Sequence, residues 1–383
     1  MFRGNTVDVP STLEIPCGSL FAEKWHGSAV HREYTLHQLS PYIGKMKSSM
    51  ANALLRAFSK EGSVVYDPFC GAGTVALEAW AAGRNVLATD LNPYAVALTR
   101  AKLFPPRTME ELSRQVDDTE KSVDALLPGI DIEDSPNWVR NFFHPRTFRE
   151  VTAWAEVLKE QKKDFLLACL LGILHHQRPG FLSYPSSHTV PYLRDKKFPK
   201  KLYPGFYEYR AVRARLDKKI VRALKRLPLL NFELQRACVL EDALDFTPPV
   251  KVDTIITSPP YMRQLDYGRD NRLRLWFLGV DEWKTLDETI SPTESRFLDL
   301  MKACFSRWHS ILTTGGICVL VLGNGRCRSR GLTIPEAVEQ VAVNETKGFS
   351  LLWRYTEEIP DTRRVRKHCS GSTTETVLVF RKR

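Results

Sequence analysis

The sequence predicts an α/β fold: a doubly wound sheet of seven strands, ending in an antiparallel pair and carrying an inserted helical lobe. Three observations lead there. Short apolar strands alternate with helical stretches, the pattern of a parallel sheet buried on both faces. Two stiff turns, one rich in glycine and one in proline, directly follow such strands. Between the second and third strands lie about 130 residues, Leu103 to Arg236, far too many for a simple βα connection.

The elements follow in order. Ser48 to Ser59 has helical periodicity and stops at Glu61-Gly62, ahead of a first strand, Val64 to Tyr66. Past the glycine turn a helix runs from Val75 to Ala82, closed by Gly83, and a second strand, Asn85 to Thr89, ends at Asp90. The third strand, Ala237 to Leu240, precedes Glu241-Asp242, and the fourth, Val252 to Thr257, runs into Ser258-Pro259-Pro260-Tyr261. Downstream, a helix over Glu294 to Leu312 is stopped at Gly315-Gly316 before a strand at Ile317 to Leu322. A helix over Ile334 to Thr346, with Pro335 in its first turn, leads to a terminal strand pair, Phe349 to Tyr355 and Glu375 to Arg381. Within the long interruption, helices near Phe148 to Gln161 and Phe165 to His176 precede a basic block. Residues 1–103 and 237–383 thus read as two parts of one sheet-forming domain, and 104–236 as an inserted basic lobe that selects the target. An extended cap that buttresses the sheet is the alternative.

Composition narrows the class. With 43% hydrophobic and 26% charged residues the chain of 383 is an ordinary globular one, ample for a buried core. The longest strongly apolar run, Phe165 to Leu174, is too short to span a bilayer, and the N-terminus lacks the basic-then-apolar order of a signal peptide. The eight cysteines are scattered, with no CxxC pair and no histidine at zinc spacing, so we expect free thiols, no metal and a cytoplasmic location. The charge is concentrated. Of a net +11, a surplus of +10 falls between Arg194 and Arg226, where thirteen basic residues face three acids. Tyr203, Phe206, Tyr207 and Tyr209 are interleaved with that charge, a pairing that suits a polyanion able to stack. Lys218, Lys219, Arg222 and Lys225 are the candidate phosphate contacts; a solvated helix face is the alternative.

Asp67-Pro68-Phe69-Cys70-Gly71-Ala72-Gly73-Thr74 has a mechanical logic. A strand must end, turn sharply and enter a helix while its backbone approaches a ligand; Gly71 and Gly73 permit positive φ, and the helix start offers free amides to a carboxylate. Asp90, 17 residues past Gly73 at the end of the next strand, is placed to accept both hydroxyls of a ribose. Gly71, Gly73 and Ala76 also satisfy the degenerate GxGxxA pattern, which alone says little. Ser258-Pro259-Pro260-Tyr261 should project at the same carboxyl edge of the sheet, its prolines fixing φ. We read Cys70 as a packing residue, since nucleophilic use would want a basic partner.

Read together, DPFCGAGT at 67–74 and TSPPY at 257–261 resemble the DNA amino-methyltransferases, which act on N4 of cytosine or N6 of adenine. The resemblance covers about residues 34–103 and 237–323 and leaves the insertion unexplained. It implies a Rossmann-like methyltransferase sheet and S-adenosylmethionine as cofactor, held by Asp67, Pro68, Phe69, Gly71, Gly73, Thr74, Asp90 and Asn92. The segment Tyr34 to Met50 resembles the stretch ahead of the first motif and implies contacts to the methionine end from Ser40, Pro41, Tyr42 and Lys45. Glu241-Asp242, chiefly Asp242, resembles the acid that reads the adenine amine.

In the second motif, Ser258 and the Pro259 carbonyl are expected to accept the hydrogens of the target amine. Pro260 stiffens the lip, and Tyr261 stacks on the base once it leaves the duplex. Arg263, Arg269 and Arg272 are placed to contact phosphates, the alternative being an amphipathic helix whose arginines pair with Asp266 and Asp270. The Gly323 to Arg330 loop leaves the sheet on the same edge and is a further place for DNA to touch. In this family an acid or Asn at the first tetrapeptide position usually accompanies adenine and Ser usually cytosine, so N4 of cytosine is the expected acceptor. The expected partner is double-stranded DNA, with a cognate restriction endonuclease or another defence component left open. N6-adenine methylation, methylation of an RNA base amine and a nucleic-acid-binding protein without catalysis are the alternatives, in that order. The RNA enzymes typically carry an acid where Ser258 stands.

Overall fold

The computed structural model describes residues 33–176, 180–185, 197–260, 267–359 and 373–383. Its centre is a mixed sheet of seven strands: β1 (Val64–Asp67), β2 (Asn85–Asp90), β3 (Arg236–Leu240), β4 (Val252–Thr257), β5 (Leu312–Gly323), β6 (Phe349–Glu358) and β7 (Thr374–Lys382). In space they run β3-β2-β1-β4-β5-β7-β6, with β7 antiparallel to both neighbours and the other pairings parallel. The predicted doubly wound sheet with its terminal antiparallel pair is the observed one. Chain order reverses direction at β1, leaving β1 and β4 side by side although nearly half the chain separates them. That junction is a switch point, where a ligand crevice is expected at the carboxyl ends of the strands.

Strand alternation sorts the core into two layers. Val65, Val86, Ala88, Ile256, Val319 and Val377 belong to one buried apolar cluster, and Val64, Tyr66, Leu87, Ile255, Leu320 and Phe380 to another. The second layer is covered by α10 (Glu294–Ile311) and α11 (Ile334–Gln340). The first is covered by α1 (Ser48–Phe58), α2 (Thr74–Ala81) and α3 (Pro93–Leu103). It continues without a break into the insertion helices α4 (Met109–Leu126), α5 (Pro145–Glu160), α6 (Asp164–Leu174) and α7 (Val212–Ala223). The apolar contacts thus run across the 103/104 boundary. After β4 come α8 (Tyr267–Phe277), the helix given as the alternative reading of the arginine segment, and α9 (Trp283–Ile290), for which no helix is expected from the sequence.

Two predicted elements differ in detail. β5 begins at Leu312, five residues before the expected Ile317: Leu312 pairs with Val252, the register then shifts through a bulge where Gly315 takes φ +71°, and regular pairing resumes at Ile317 opposite Thr254. The helix from Ile334 closes as α-helix at Gln340, and its last turn widens to a π-helix over Val341–Glu345, with the Thr346 amide bonding the Val341 carbonyl at 3.0 Å. No described helix is long and apolar enough to cross a membrane.

Candidate active site

Parallel pairing of β1 with β4, Val65 opposite Thr254 and Tyr66 opposite Ile255, brings the glycine turn and the proline tetrapeptide to one edge. A side-chain hydrogen bond joins them. The Thr257 hydroxyl donates to Asp67 Oδ1 at 2.7 Å, and the Phe69 amide reaches the same oxygen at 3.4 Å. Asp67 is 3% exposed, and burial pushes its carboxyl up to about 7 despite those two hydrogen bonds. Next along the chain, the Ser258 hydroxyl donates to the Val321 carbonyl of β5 at 3.1 Å. With its proton committed there, this oxygen offers any further group lone pairs only.

The cleft between the motifs encloses about 1020 Å³, open solvent at its mouth included. Its floor is the turn from Asp67 to Ala72 with Thr74, and its sides include Asp90, Asn92, Glu241 and Asp242. Gly71 (φ +48°) carries its amide to Asp90 Oδ2 at 2.8 Å, while Asp90 Oδ1 receives the Asn92 amide at 2.8 Å. Burial raises Asp90 to about 6, against the pull of these amides. Asp242 is oriented by the Leu244 amide on its Oδ1 at 2.9 Å. Two buried polar atoms on the cleft residues have no partner, Thr74 Oγ1 and Asn92 Nδ2. They are 4% and 1% exposed residues respectively, and such atoms are ordinarily satisfied.

The upstream segment splits into two roles. Tyr42 and Lys45 line the cleft, with Gly44 and Met46. Ser40 and Pro41 do not; instead the Tyr94 hydroxyl contacts Ser40 Oγ and donates to the Pro41 carbonyl at 2.7 Å. These two residues therefore fasten the segment to α3, a correction to their expected cofactor contact. Gly73 is corrected likewise. It is absent from the cleft wall, and a Cβ there would stand 2.6 Å from Thr99 Oγ1, so its φ of +68° and its missing side chain serve the close approach of α3. Pro259 is buried behind the lip, whereas Ser258 and Pro260 line the cleft. Tyr261 and Arg263 lie outside the described residues.

The far wall was not read from the sequence. Tyr267 opens α8, Ile290 closes α9 and Leu300 sits on α10, all lining the cleft. Trp283, Leu286 and Ile290 recur at helical spacing, a signal for α9, but nothing local marks the cleft-facing side.

The basic residues divide. On α7, Lys218, Arg222 and Lys225 just beyond it are exposed. Lys219 is not. The helix period turns it inward with Leu216, Ile220 and Ala223; its Nζ donates to the Gln38 carbonyl at 2.7 Å, and burial lowers it to about 8. As a phosphate contact Lys219 is therefore corrected to an internal fastener. Arg269 is exposed and stands 3.8 Å from Asp270, the pairing held open as the alternative. Arg272 lies half-buried with its guanidinium 4.9 Å from the Trp138 ring centre, which turns it toward the insertion rather than to solvent. The loop after β5 folds into a short ladder, Arg326–Cys327 with Leu332–Thr333, and Arg328 and Ser329 give their amides to Glu294 at 2.9 and 2.8 Å. Among the described residues no cluster of side chains suits a metal ion, and the described cysteines are unpaired.

Residues 17–101 match the N6/N4 methylase family, described as DNA methylase. Two curated relatives are each 25% identical: the Type II methyltransferase M.BsoBI of Geobacillus stearothermophilus, over 297 residues (69% of this chain, 57% of the relative), and the Type II methyltransferase M.MvaI of Kocuria varians, over 254 (59% and 52%). The chain spans about half the length of these relatives. Among solved structures, TrmN from Thermus thermophilus is similar at 14% identity and TM-score 0.36, covering 92% of this chain and 53% of that one. The rRNA methyltransferase AviRa from Streptomyces viridochromogenes is similar at 13% identity and TM-score 0.32, over 89% and 87%. The part of this chain that is similar to the N6/N4 DNA methylases, residues 17–101, holds the glycine turn and Asp90.

Proposed function

We propose that the protein is a site-specific DNA methyltransferase that transfers a methyl group from S-adenosylmethionine to the exocyclic amine of an extruded base, N4 of cytosine being the acceptor. The observation that carries this reading is the Thr257–Asp67 hydrogen bond of 2.7 Å, which locks the proline tetrapeptide against the glycine turn at one cleft. S-adenosylmethionine held there supplies a methyl group on a cationic sulfur, open to attack by a nitrogen lone pair.

The residues present fit that cofactor. Four carboxyl groups line the cleft (Asp67, Asp90, Glu241, Asp242) against one ammonium, Lys45, which suits a ligand carrying sulfonium and ammonium charge. Asp90 takes the Gly71 amide on Oδ2 and the Asn92 amide on Oδ1, and its carboxylate can still accept from a ribose hydroxyl. The partnerless Thr74 Oγ1 and Asn92 Nδ2 await polar groups of a ligand. Asp242 takes the adenine amine in this reading, and Phe69 packs on the cofactor.

The amine of a nucleobase is a weak nucleophile because its lone pair is delocalised into the ring. Ser258, obliged to accept, draws on one amine hydrogen and favours the pyramidal nitrogen whose lone pair can attack; the neutral hydroxyl in place of a carboxylate supports cytosine over adenine. Lys218, Arg222, Lys225 and Arg269 supply phosphate contacts, and residues 104–236 select the target. The likeness to Type II methyltransferases accords with a cytoplasmic enzyme acting on double-stranded DNA, beside a cognate restriction endonuclease or another defence component.

Nucleoside mass spectrometry of duplex DNA and of tRNA incubated with protein and cofactor tests the reading. N4-methylcytosine in the duplex is expected; N6-methyladenine alone removes the cytosine assignment, and methylation confined to tRNA removes DNA as substrate. Ser258→Ala should slow transfer by about 1–3 kcal/mol in the barrier while leaving cofactor affinity intact.

A further inference from the structure

The glycine turn is held from behind by α3. The Thr99 hydroxyl stands 3.4 Å from the Gly71 carbonyl and 3.3 Å from Cys70 Sγ, and the Lys102 ammonium donates to the Ala72 carbonyl. This closeness needs Gly73, since a Cβ there would lie 2.9 Å from Thr99 Cα. Both carbonyls therefore point at α3. Across a trans peptide the N–H points opposite to the C=O, so pinning the Gly71 carbonyl turns the Ala72 amide to the other side, where Ala72 lines the cleft.

Lys102 is unusual in its surroundings. It is 1% exposed, yet no described carboxylate is within ion-pair distance of its nitrogen, where a buried cation ordinarily has one. It lies beneath the start of α2, whose free amides are themselves electropositive. On the cleft side of that same turn, Thr74 Oγ1 is buried without a partner. The ammonium thus backs the turn from the α3 side without a paired carboxylate, while the start of α2 and the unused Thr74 hydroxyl lie on its cleft side.

We propose that Lys102 and Thr99 are positioning residues for the carboxylate of the cofactor's amino-acid end: they pin the turn so that the Ala72 amide, the Thr74 hydroxyl and the start of α2 converge on an anion. Lys102 is not on the cleft wall and acts through the turn. This rests on the cofactor assignment above. Burial lowers the Lys102 ammonium to about 7, with Lys45 pushing the same way and Glu33, Cys70 and Glu78 opposing. A bound carboxylate would add to the opposing side.

The test is calorimetric titration of wild type, Lys102→Met and Thr99→Val with two ligands: S-adenosylhomocysteine, and 5′-methylthioadenosine, which keeps the nucleoside and sulfur but lacks the amino-acid end. Lys102→Met should weaken S-adenosylhomocysteine by about tenfold and leave methylthioadenosine within about twofold. Thr99→Val should show the same discrimination at about threefold, and carries the test if the lysine variant does not fold. Equal weakening of both ligands overturns the proposal, since it marks a general loss of structure; so does no weakening of either. Wild type that binds neither ligand overturns the cofactor assignment and the proposal with it.

Discussion

Thr257→Val tests the joint between the two motifs. The exchange removes one hydroxyl and keeps the branched shape, at a residue with 0% exposure whose partner Asp67 is 3% exposed. Burial holds the Asp67 carboxyl near 7, against its ordinary 3.8 in the unfolded chain. A folded-state pKa raised in this way contributes stability that is full below the unfolded value and lost as pH climbs through the folded one. Wild-type stability should therefore fall between about pH 4 and pH 7 through this group. The variant adds a second, pH-dependent loss. Below 7 the Thr257 hydroxyl bonds a neutral carboxyl, worth about 0.5–1.5 kcal/mol; above it the same bond is to a carboxylate and worth about 1.5–3 kcal/mol. The destabilisation should thus grow from about 1 kcal/mol at pH 5.5 to about 2 kcal/mol at pH 8.5, read from urea unfolding midpoints at constant slope. In an Asp67→Asn background the growth should vanish. A loss of equal size at both pH values would show that the bond does not reach an ionising Asp67.

Two further outcomes are expected. Asp90→Ala should weaken S-adenosylmethionine by about 1–3 kcal/mol in calorimetry, because the acid both faces the ribose and holds the Gly71 and Asn92 amides; full-strength binding would remove it from the cofactor site. Neutralising Lys218, Arg222 and Lys225 together should lower the salt slope of DNA affinity by up to about 0.9 per lost phosphate contact, whereas Lys219→Met should lower the melting temperature and leave the slope alone. An unchanged slope in the triple variant makes the α7 face a solvated surface, and a reduced slope in the lysine variant contradicts its burial.

What the sequence by itself determined is local: strands β1 to β4 to within a residue, the positive φ of Gly71 and Gly73, and both motifs at the ends of strands. These follow from turn chemistry and side-chain period, which act over a few residues and need no distant partner. The tertiary structure decided the rest. Strand order placed β4 beside β1, and so Thr257 on Asp67, 190 positions away, where no short-range pattern points. The basic block reads as phosphate contacts or a solvated face, and only the packed helix shows Lys219 turned inward with Leu216 and Ile220, its apolar stem covered while the ammonium finds the Gln38 carbonyl. Ser40, Pro41 and Gly73 lie in or beside the motifs yet face α3 rather than the cleft, because which side of a turn meets ligand depends on the helix packed behind it. Tyr267 and Ile290 became a cleft wall only through the path of the chain after β4. Chemistry confined to a motif is legible in order along the chain; chemistry that needs two surfaces to meet is fixed when the core closes.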